Sequence, residues 1–292
     1  ILWGNGDDVY GSPTLLNCNV EDGDSEGVSG CISQDPKFKA GFYLAADSPA
    51  VDHGSATAAS FGMDTLTTQT DGTLDSGLVD LGYHHDAGAG TVIEALYVAP
   101  TGSDTANTGL TAGSPFRTIS HALAMSQDGT QIFIAPGQYD TASRESFPLF
   151  LEGRQSIGLR GTGSGVVIDA LGAQSRVFQI KQCGNLILEG LTLANGSPAT
   201  SATIYGGGLW AFGTGGLELT DCTFINNTVT ATDYAYGAGI ALQDCVATLD
   251  GCLFIGNEVY NSNRGHGAGL AFVDCASCDV NTTIISNNFI QS

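Results

Sequence analysis

Basic residues are scarce in this chain: nine lysines and arginines stand against thirty aspartates and glutamates in 292 residues, a formal charge of −21. Such a field repels phosphate backbones and anionic membrane faces, which argues against nucleic acid as a partner, while it attracts divalent cations. Long apolar runs are missing too. No stretch approaches the roughly 20 residues that span a bilayer, so no membrane span is expected. Charged residues make up only 13% of the chain, yet hydrophobic residues reach 42%, which is unlike the low-hydrophobicity, high-charge composition of disordered segments. Zinc spacing is also lacking, because the one CxxC, Cys275-Ala-Ser-Cys278, has no second CxxC and no histidine pair to join it.

What the chain has is glycine, 41 residues of it, with aspartate, asparagine and threonine between short apolar runs. This is the texture of an all-β protein with many turns. The second half repeats itself. Gly206-Gly-Gly-Leu-Trp210 followed by Leu217-Glu-Leu-Thr-Asp-Cys-Thr-Phe-Ile-Asn-Asn227 superposes on Gly237-Ala-Gly-Ile-Ala241 followed by Ala247-Thr-Leu-Asp-Gly-Cys-Leu-Phe-Ile-Gly-Asn257. A third copy runs from Gly267-Ala-Gly-Leu-Ala271 to Cys278-Asp-Val-Asn-Thr-Thr-Ile-Ile-Ser-Asn287. Gly208, Gly239 and Gly269 correspond, 31 and 30 residues apart. A unit of that length made of three short apolar runs and turns cannot close a core alone and must stack on its neighbours. Apolar positions alternate, as at Leu217 and Leu219, and β-branched residues are plentiful, so the stacked elements are strands. The reading is a parallel β-solenoid whose equivalent positions lie about 4.8 Å apart on successive rungs. Glycine before each strand suits a tight bend, and asparagine at the other end tolerates a left-handed turn.

Eight cysteines, an even number, fit an oxidising compartment. The register stacks Cys222 on Cys252 and Cys245 on Cys275, within the Cα range of a disulfide, about 4.4–6.8 Å. Cys18 and Cys31 bracket an acidic, glycine-rich loop and form a third expected pair. Buried free thiols are the competing reading for the stacked pairs. Upstream, Ala95-Leu-Tyr-Val-Ala99 reads as a strand. Pro115 opens a short amphipathic helix from Phe116 to Ala124, suited to covering an open solenoid end, and a strand follows at Gln131-Ile-Phe-Ile-Ala135.

Tyr97-Val-Ala-Pro-Thr-Gly-Ser-Asp-Thr-Ala-Asn-Thr-Gly109, Ser114-Pro-Phe-Arg-Thr-Ile-Ser-His-Ala-Leu123, Ile134-Ala-Pro-Gly-Gln-Tyr139 and Glu145-Ser-Phe-Pro-Leu149 occur in that order. Together they resemble the amino-terminal part of pectin-lyase-like right-handed β-helix proteins of the DUF1565 type. The later glycine and Phe-Ile-Asn-Asn elements are similar to repeats of polymorphic outer-membrane and adhesin-like β-helices. Residues 1–86 resemble the opposite end of such proteins, through Ile1-Leu-Trp-Gly-Asn5, Asp35-Pro-Lys-Phe38, Tyr43-Leu-Ala-Ala-Asp-Ser-Pro-Ala-Val-Asp-His-Gly54 and Val79-Asp-Leu-Gly82. The resemblance implies an all-β, right-handed parallel β-helix with a short capping helix. Residues 1–92 would be a terminal rung and closing segment, and 93–292 a cap with its rungs. Tail precedes head, so the chain is expected to be one window on an array or polymer. Ile1, Leu2 and Trp3 would meet Ile290 of a neighbouring copy through strand addition.

The resemblance also raises an enzymatic reading. Polysaccharide lyases on this fold neutralise a uronate with a cation and need a base, for which Arg160, Arg176 and Lys181 with Asp169 are the candidates. No lyase motif surrounds them, and surface charge is the simpler account. Glycoside hydrolases need carboxylates about 5–9.5 Å apart, and the register offers Asp244 and Asp274, against the reading that both are turn residues. For calcium the acidic loops at Asp7-Asp8, Glu21-Asp-Gly-Asp24 and Asp64, Asp71 and Asp75 offer oxygen ligands, none in an EF-hand pattern. His84-His85-Asp86 reads as an exposed linker ahead of a metal site. Trp210, Tyr205, Tyr234 and Tyr236 form either a glycan-stacking strip or turn packing. Asn195, Asn226 and Asn281 head glycosylation sequons. The function expected is an extracellular or cell-surface structural protein, non-catalytic, a subunit or repeat unit of a head-to-tail β-helix filament or adhesin, with copies of itself as the main partner and glycans as a second. The alternative is a carbohydrate-active enzyme, a polysaccharide lyase or glycoside hydrolase.

Overall fold

A computed structural model describes residues 1–2, 14–21, 23, 26–39, 42–86, 93–261 and 263–291. The chain divides into two units, Ile1–Glu94 and Ala95–Ser292.

The second unit is a parallel β-helix. Its first sheet stacks Ala95–Val98, Gln131–Ile134, Gly158–Gly161, Gly184–Glu189, Gly215–Thr220, Val246–Asp250 and Ser277–Asn281 in sequence order. A second sheet runs from Gly137–Asp140 to Ile284–Ser286, and a fifth from Leu149–Glu152 to Leu270–Val273. From residue 184 onward each turn adds two short strands, which build a third sheet (Ala199–Thr200 to Phe289–Gln291) and a fourth (Ile204–Tyr205 to Arg264–His266). The repeat therefore holds five strands where the sequence suggested three apolar runs. The extra strands are too short, and too rich in threonine and tyrosine, to register as hydrophobic runs.

The register matches the sequence alignment. Leu186, Leu217, Ala247 and Cys278 share one column, and Leu193, Phe224, Phe254 and Ile285 another. Phe224 and Phe254 are fully buried and stacked, 4.9 Å apart and 5° from parallel. Burying each such ring contributes about 1.5–3 kcal/mol. Gly208, Gly239 and Gly269 stack as expected. A Cβ on Gly208 would lie 2.5 Å from the Gly239 carbonyl oxygen, and one on Gly239 2.3 Å from that of Gly269, so this column requires glycine for close approach.

The helix is Ile119–Met125, with Ile119, Ala122 and Leu123 buried, packed on the strands Ala95–Val98 and Leu149–Glu152. It starts later than the sequence suggested. Phe116 is drawn into a parallel bridge with Val98, and Thr118 becomes the N-cap, its hydroxyl accepting from the His121 N–H at 3.2 Å. The buried Glu145 carboxylate accepts from the Ile119 and Ser120 N–H groups at 2.7 and 2.9 Å, which places an anion on the positive end of the helix.

The first unit is held differently. Its described residues pair through isolated bridges, Leu2 with Val20, Asn19 with Ile32 and Leu44 with Gln69 in parallel, plus one short antiparallel pair, Leu66–Thr67 with His85–Asp86. Few large apolar side chains are fully buried there, Val20 and Leu44 foremost.

Candidate functional site

Side chains alternate inward and outward along each strand. In Leu209–Phe212, Leu209 and Ala211 are buried while Trp210 and Phe212 reach the outer face. Parallel, in-register pairing then forces outward rings into columns. Tyr205 stacks on Tyr236 at 5.0 Å and 9°, and Tyr236 on His266 at 4.8 Å and 11°. Tyr205 also stacks on Trp210 at 5.8 Å and 15°. The Arg176 guanidinium lies 4.7 Å from the Trp210 ring centroid and the Lys181 ammonium 5.4 Å, while Arg264 sits 6.0 Å from that of Tyr234. Cation–π contacts of this kind are worth about 0.5–2 kcal/mol.

This geometry decides between the two readings of the aromatic strip. The faces of Tyr205 and Tyr236 are engaged by neighbouring rings, so the strip presents ring edges and hydroxyls outward, and packing is the main work of the rings. Burial pushes the Tyr205 hydroxyl pKa up, with Tyr236, Asp274 and Asp244 adding to the effect. Burial likewise pulls Arg176 down to about 10. The Trp210 Nε1–H is buried and among the described residues has no acceptor.

The family model described as a protein of unknown function, DUF1565, matches residues 100–292. The chain belongs to the DUF1565 family. No curated protein matches it. Among solved structures it is similar to a rhamnogalacturonan lyase, at 18% identity, with a TM-score of 0.37, over 65% of this chain and 56% of that one. The chain thus spans little more than half the length of that lyase.

In this DUF1565 chain the residues weighed for lyase chemistry are dispersed. Arg160 lies on the first sheet, ion-paired with Glu189. Asp169 lies on the second, its carboxylate accepting from Leu171 N–H, Gln138 and Asn195 at 2.9, 3.0 and 2.8 Å. Arg176 and Lys181 flank Trp210 on the face of the fifth. Asp244 and Asp274 are exposed turn residues with φ of 51° and 53°, in one column with Gln182 and Gly213, so the turn reading holds for that pair.

The calcium expectation at Asp64, Asp71 and Asp75 is not met. Asp64 is exposed, and Asp71 closes its own turn by accepting from the Thr73 N–H at 2.9 Å, which holds its pKa below the usual value. Asp75 is buried, its Oδ2 taking the Asp80 N–H at 3.0 Å and His84 Nε2 at 2.6 Å, with Oδ1 unpartnered. Among the described residues no three His, Cys, Asp or Glu side chains gather to hold a metal. Asp7, Asp8, Asp22 and Asp24 lie outside those residues. His84, expected in an exposed linker, is instead a buried partner of Asp75, because residues 85–86 pair with 66–67 and pull it inward.

The expected disulfides are a second correction. All eight cysteines are free thiols. Each of the four stacked thiols donates instead to a carbonyl oxygen of the rung before. Cys222 reaches Leu188 at 3.3 Å, Cys252 Leu219 at 3.4 Å, Cys245 Ala211 at 3.5 Å and Cys275 Leu242 at 3.3 Å. Burial raises Cys222 to about 12 and pushes Cys245 and Cys252 up as well, the signature of packed, unreactive thiols. Cys18 turns to the Leu16 carbonyl at 3.4 Å while Cys31 is buried.

The sequence reading missed an asparagine ladder. Asn227 Nδ2 donates to Asn257 Oδ1 at 3.0 Å, and Asn257 Nδ2 to Asn288 Oδ1 at 2.8 Å; Asn227 and Asn257 are fully buried. The signal is asparagine at positions 30 and 31 apart, which by sequence alone reads as a turn residue, and Asn226 and Asn287 next to the ladder do adopt positive φ.

Proposed function

We propose that the chain is a non-catalytic structural protein of the cell exterior, a subunit or repeat unit that assembles head to tail into a β-helix filament or adhesin. The observation that supports this is the in-register stack, in which the first sheet pairs seven strands in sequence order and Phe224 stacks on Phe254 and Asn227 bonds Asn257. Ile285 and Ile290 on the 277–291 rung continue the columns of Phe254 and Val259. A stack of this kind grows by adding rungs, and strand addition lets a second copy supply them, with Ile1 and Leu2 as the residues expected to meet Ile290. Trp3, the third residue expected at this contact, lies outside the described residues. Exposed sequon asparagines Asn226 and Asn281, with the acidic composition, suit an exterior location.

Analytical ultracentrifugation with negative-stain imaging tests the reading. The wild-type chain forms rods that lengthen with concentration, while Ile285→Asp and Ile290→Asp stay monomeric with unchanged circular dichroism. Wild-type monomers at every concentration overturn the assembly. Polysaccharide cleavage by the purified chain overturns the non-catalytic part.

A further inference from the structure

Parallel pairing in register sets outward side chains of adjacent rungs over one another, about 4.8 Å apart at the backbone. For most residue types this is packing and nothing more. For tyrosine it also brings two phenols within covalent reach. Tyr205 and Tyr236 are register partners on the fourth sheet, both half-buried, with rings 5.0 Å apart and 9° from parallel. Tyr236 adds to the raised pKa of the Tyr205 hydroxyl, as expected of two hydroxyls on the same side of the stack. The ring carbons beside each hydroxyl therefore face those of the other residue. The pair's other stacking neighbours are His266 at 4.8 Å and Trp210 at 5.8 Å, neither of them a phenol, and Tyr234, which is 6.2 Å from Tyr236 on the same strand. Tyrosines elsewhere are engaged differently. Tyr139 is fully buried, Tyr97 stacks on Phe133 and the Tyr260 hydroxyl bonds Glu258.

We propose that Tyr205 and Tyr236 form a site of oxidative cross-linking, joined as dityrosine by a peroxide-driven one-electron oxidant. Each phenol loses one electron and its hydroxyl proton, which gives a phenoxyl radical with spin density on the carbons beside the oxygen. Two such radicals held face to face combine there in a single carbon–carbon bond, because the register has already fixed their approach. The hydrogen on each coupled carbon then moves to the oxygen and restores the phenol. One hydrogen peroxide takes up the two electrons and two protons and leaves as two waters. The bond ties two neighbouring coils across the fourth sheet, and it forms within one chain whether or not copies assemble head to tail.

The test treats the purified chain with a haem peroxidase and limiting hydrogen peroxide. The band that runs as a single chain under denaturing conditions is then cleaved after glutamate. This separates Tyr205, in 190–218, from Tyr234 and Tyr236, in 219–258. Mass spectrometry should find the two peptides joined, lighter than their sum by two hydrogen atoms, in a product with the fluorescence of dityrosine. Tyr205→Phe and Tyr236→Phe should each remove the joined peptide, and Tyr234→Phe should keep it. Unfolding the wild-type chain in urea before oxidation should lower its yield at least about tenfold, since the register no longer holds the rings together. The proposal is overturned if folded wild type gives no joined peptide, or if the urea-unfolded chain gives as much. It is equally overturned if the peptide survives Tyr205→Phe or Tyr236→Phe, or if Tyr234→Phe removes it. The comparison of folded with unfolded wild type needs no variant, so a substitution that misfolds cannot rescue the idea.

Discussion

The two units of this chain reach order by different routes. In Ala95–Ser292 several residue types recur one rung on, so a local solution is copied along a column. Phenylalanine stacks on phenylalanine, asparagine bonds asparagine, and tyrosine stacks on tyrosine. In Ile1–Glu94 order among the described residues comes from individual polar knots. Asp75 ties the Asp80 N–H to His84, and Asp80 in turn takes the Thr68 hydroxyl and, at 2.7 Å, the Asp52 N–H. Asn19 bonds Gln34 twice, at 2.8 and 3.2 Å, a lone counterpart of the ladder in the other unit. Repetition makes stability a sum over neighbours, whereas a knot is lost with any one member.

The largest effect should come from the phenylalanine column. Phe254→Ala opens a cavity beneath Phe224 in that column and costs about 3–5 kcal/mol. Urea unfolding followed by hydrogen exchange should show the loss in rungs around 224–285, with the Asp75 knot untouched. Equal loss in both units would erase the distinction drawn here. A smaller effect follows from His84→Ala, which strips a partner from buried Asp75 and costs about 1–3 kcal/mol, confined to residues 42–86. Protection of 66–86 amides is the measurement, and unchanged protection would mean the knot is ornamental.

A third effect is in pH dependence, and the pH range in which it acts separates the units. Burial raises the Asp80 carboxyl above its ordinary 3.8, so the folded state favours its protonated form. Its contribution is complete below pH 3.8 and is lost as pH rises through the raised value. Cys222 goes from 9.0 to about 12, again by burial, so its contribution is complete below pH 9.0 and is lost toward about 12. Stability measured against pH should therefore flatten in the acid range for Asp80→Asn and in the alkaline range for Cys222→Ala. The opposite slope in either variant would contradict the burial that produces these shifts.

The fold was legible because a β-helix writes its register into the chain. Gly208, Gly239 and Gly269 could be aligned by eye, and the structure stacks them through backbone contacts too close for any side chain. Strands at 199–205 were not legible, since two-residue strands with mixed polarity carry no periodic signal. Cysteine columns were read correctly and their chemistry was not, because stacking fixes which residues are neighbours and says nothing about where each sulfur points. The calcium set failed for the related reason that acidic spacing along a loop does not reveal which carboxylates an asparagine-like turn or a histidine has already claimed.

By itself, then, the sequence determined the parallel stack, the repeat length and the columns, since a period of 30 or 31 residues leaves pairing of like with like as the way to bury its apolar faces. Tertiary structure alone decided which groups were spent on one another and which were left over. Arg176, Lys181 and Trp210 come from strands and turns more than thirty residues apart at the extremes, and only folding brings the two cations over one indole ring.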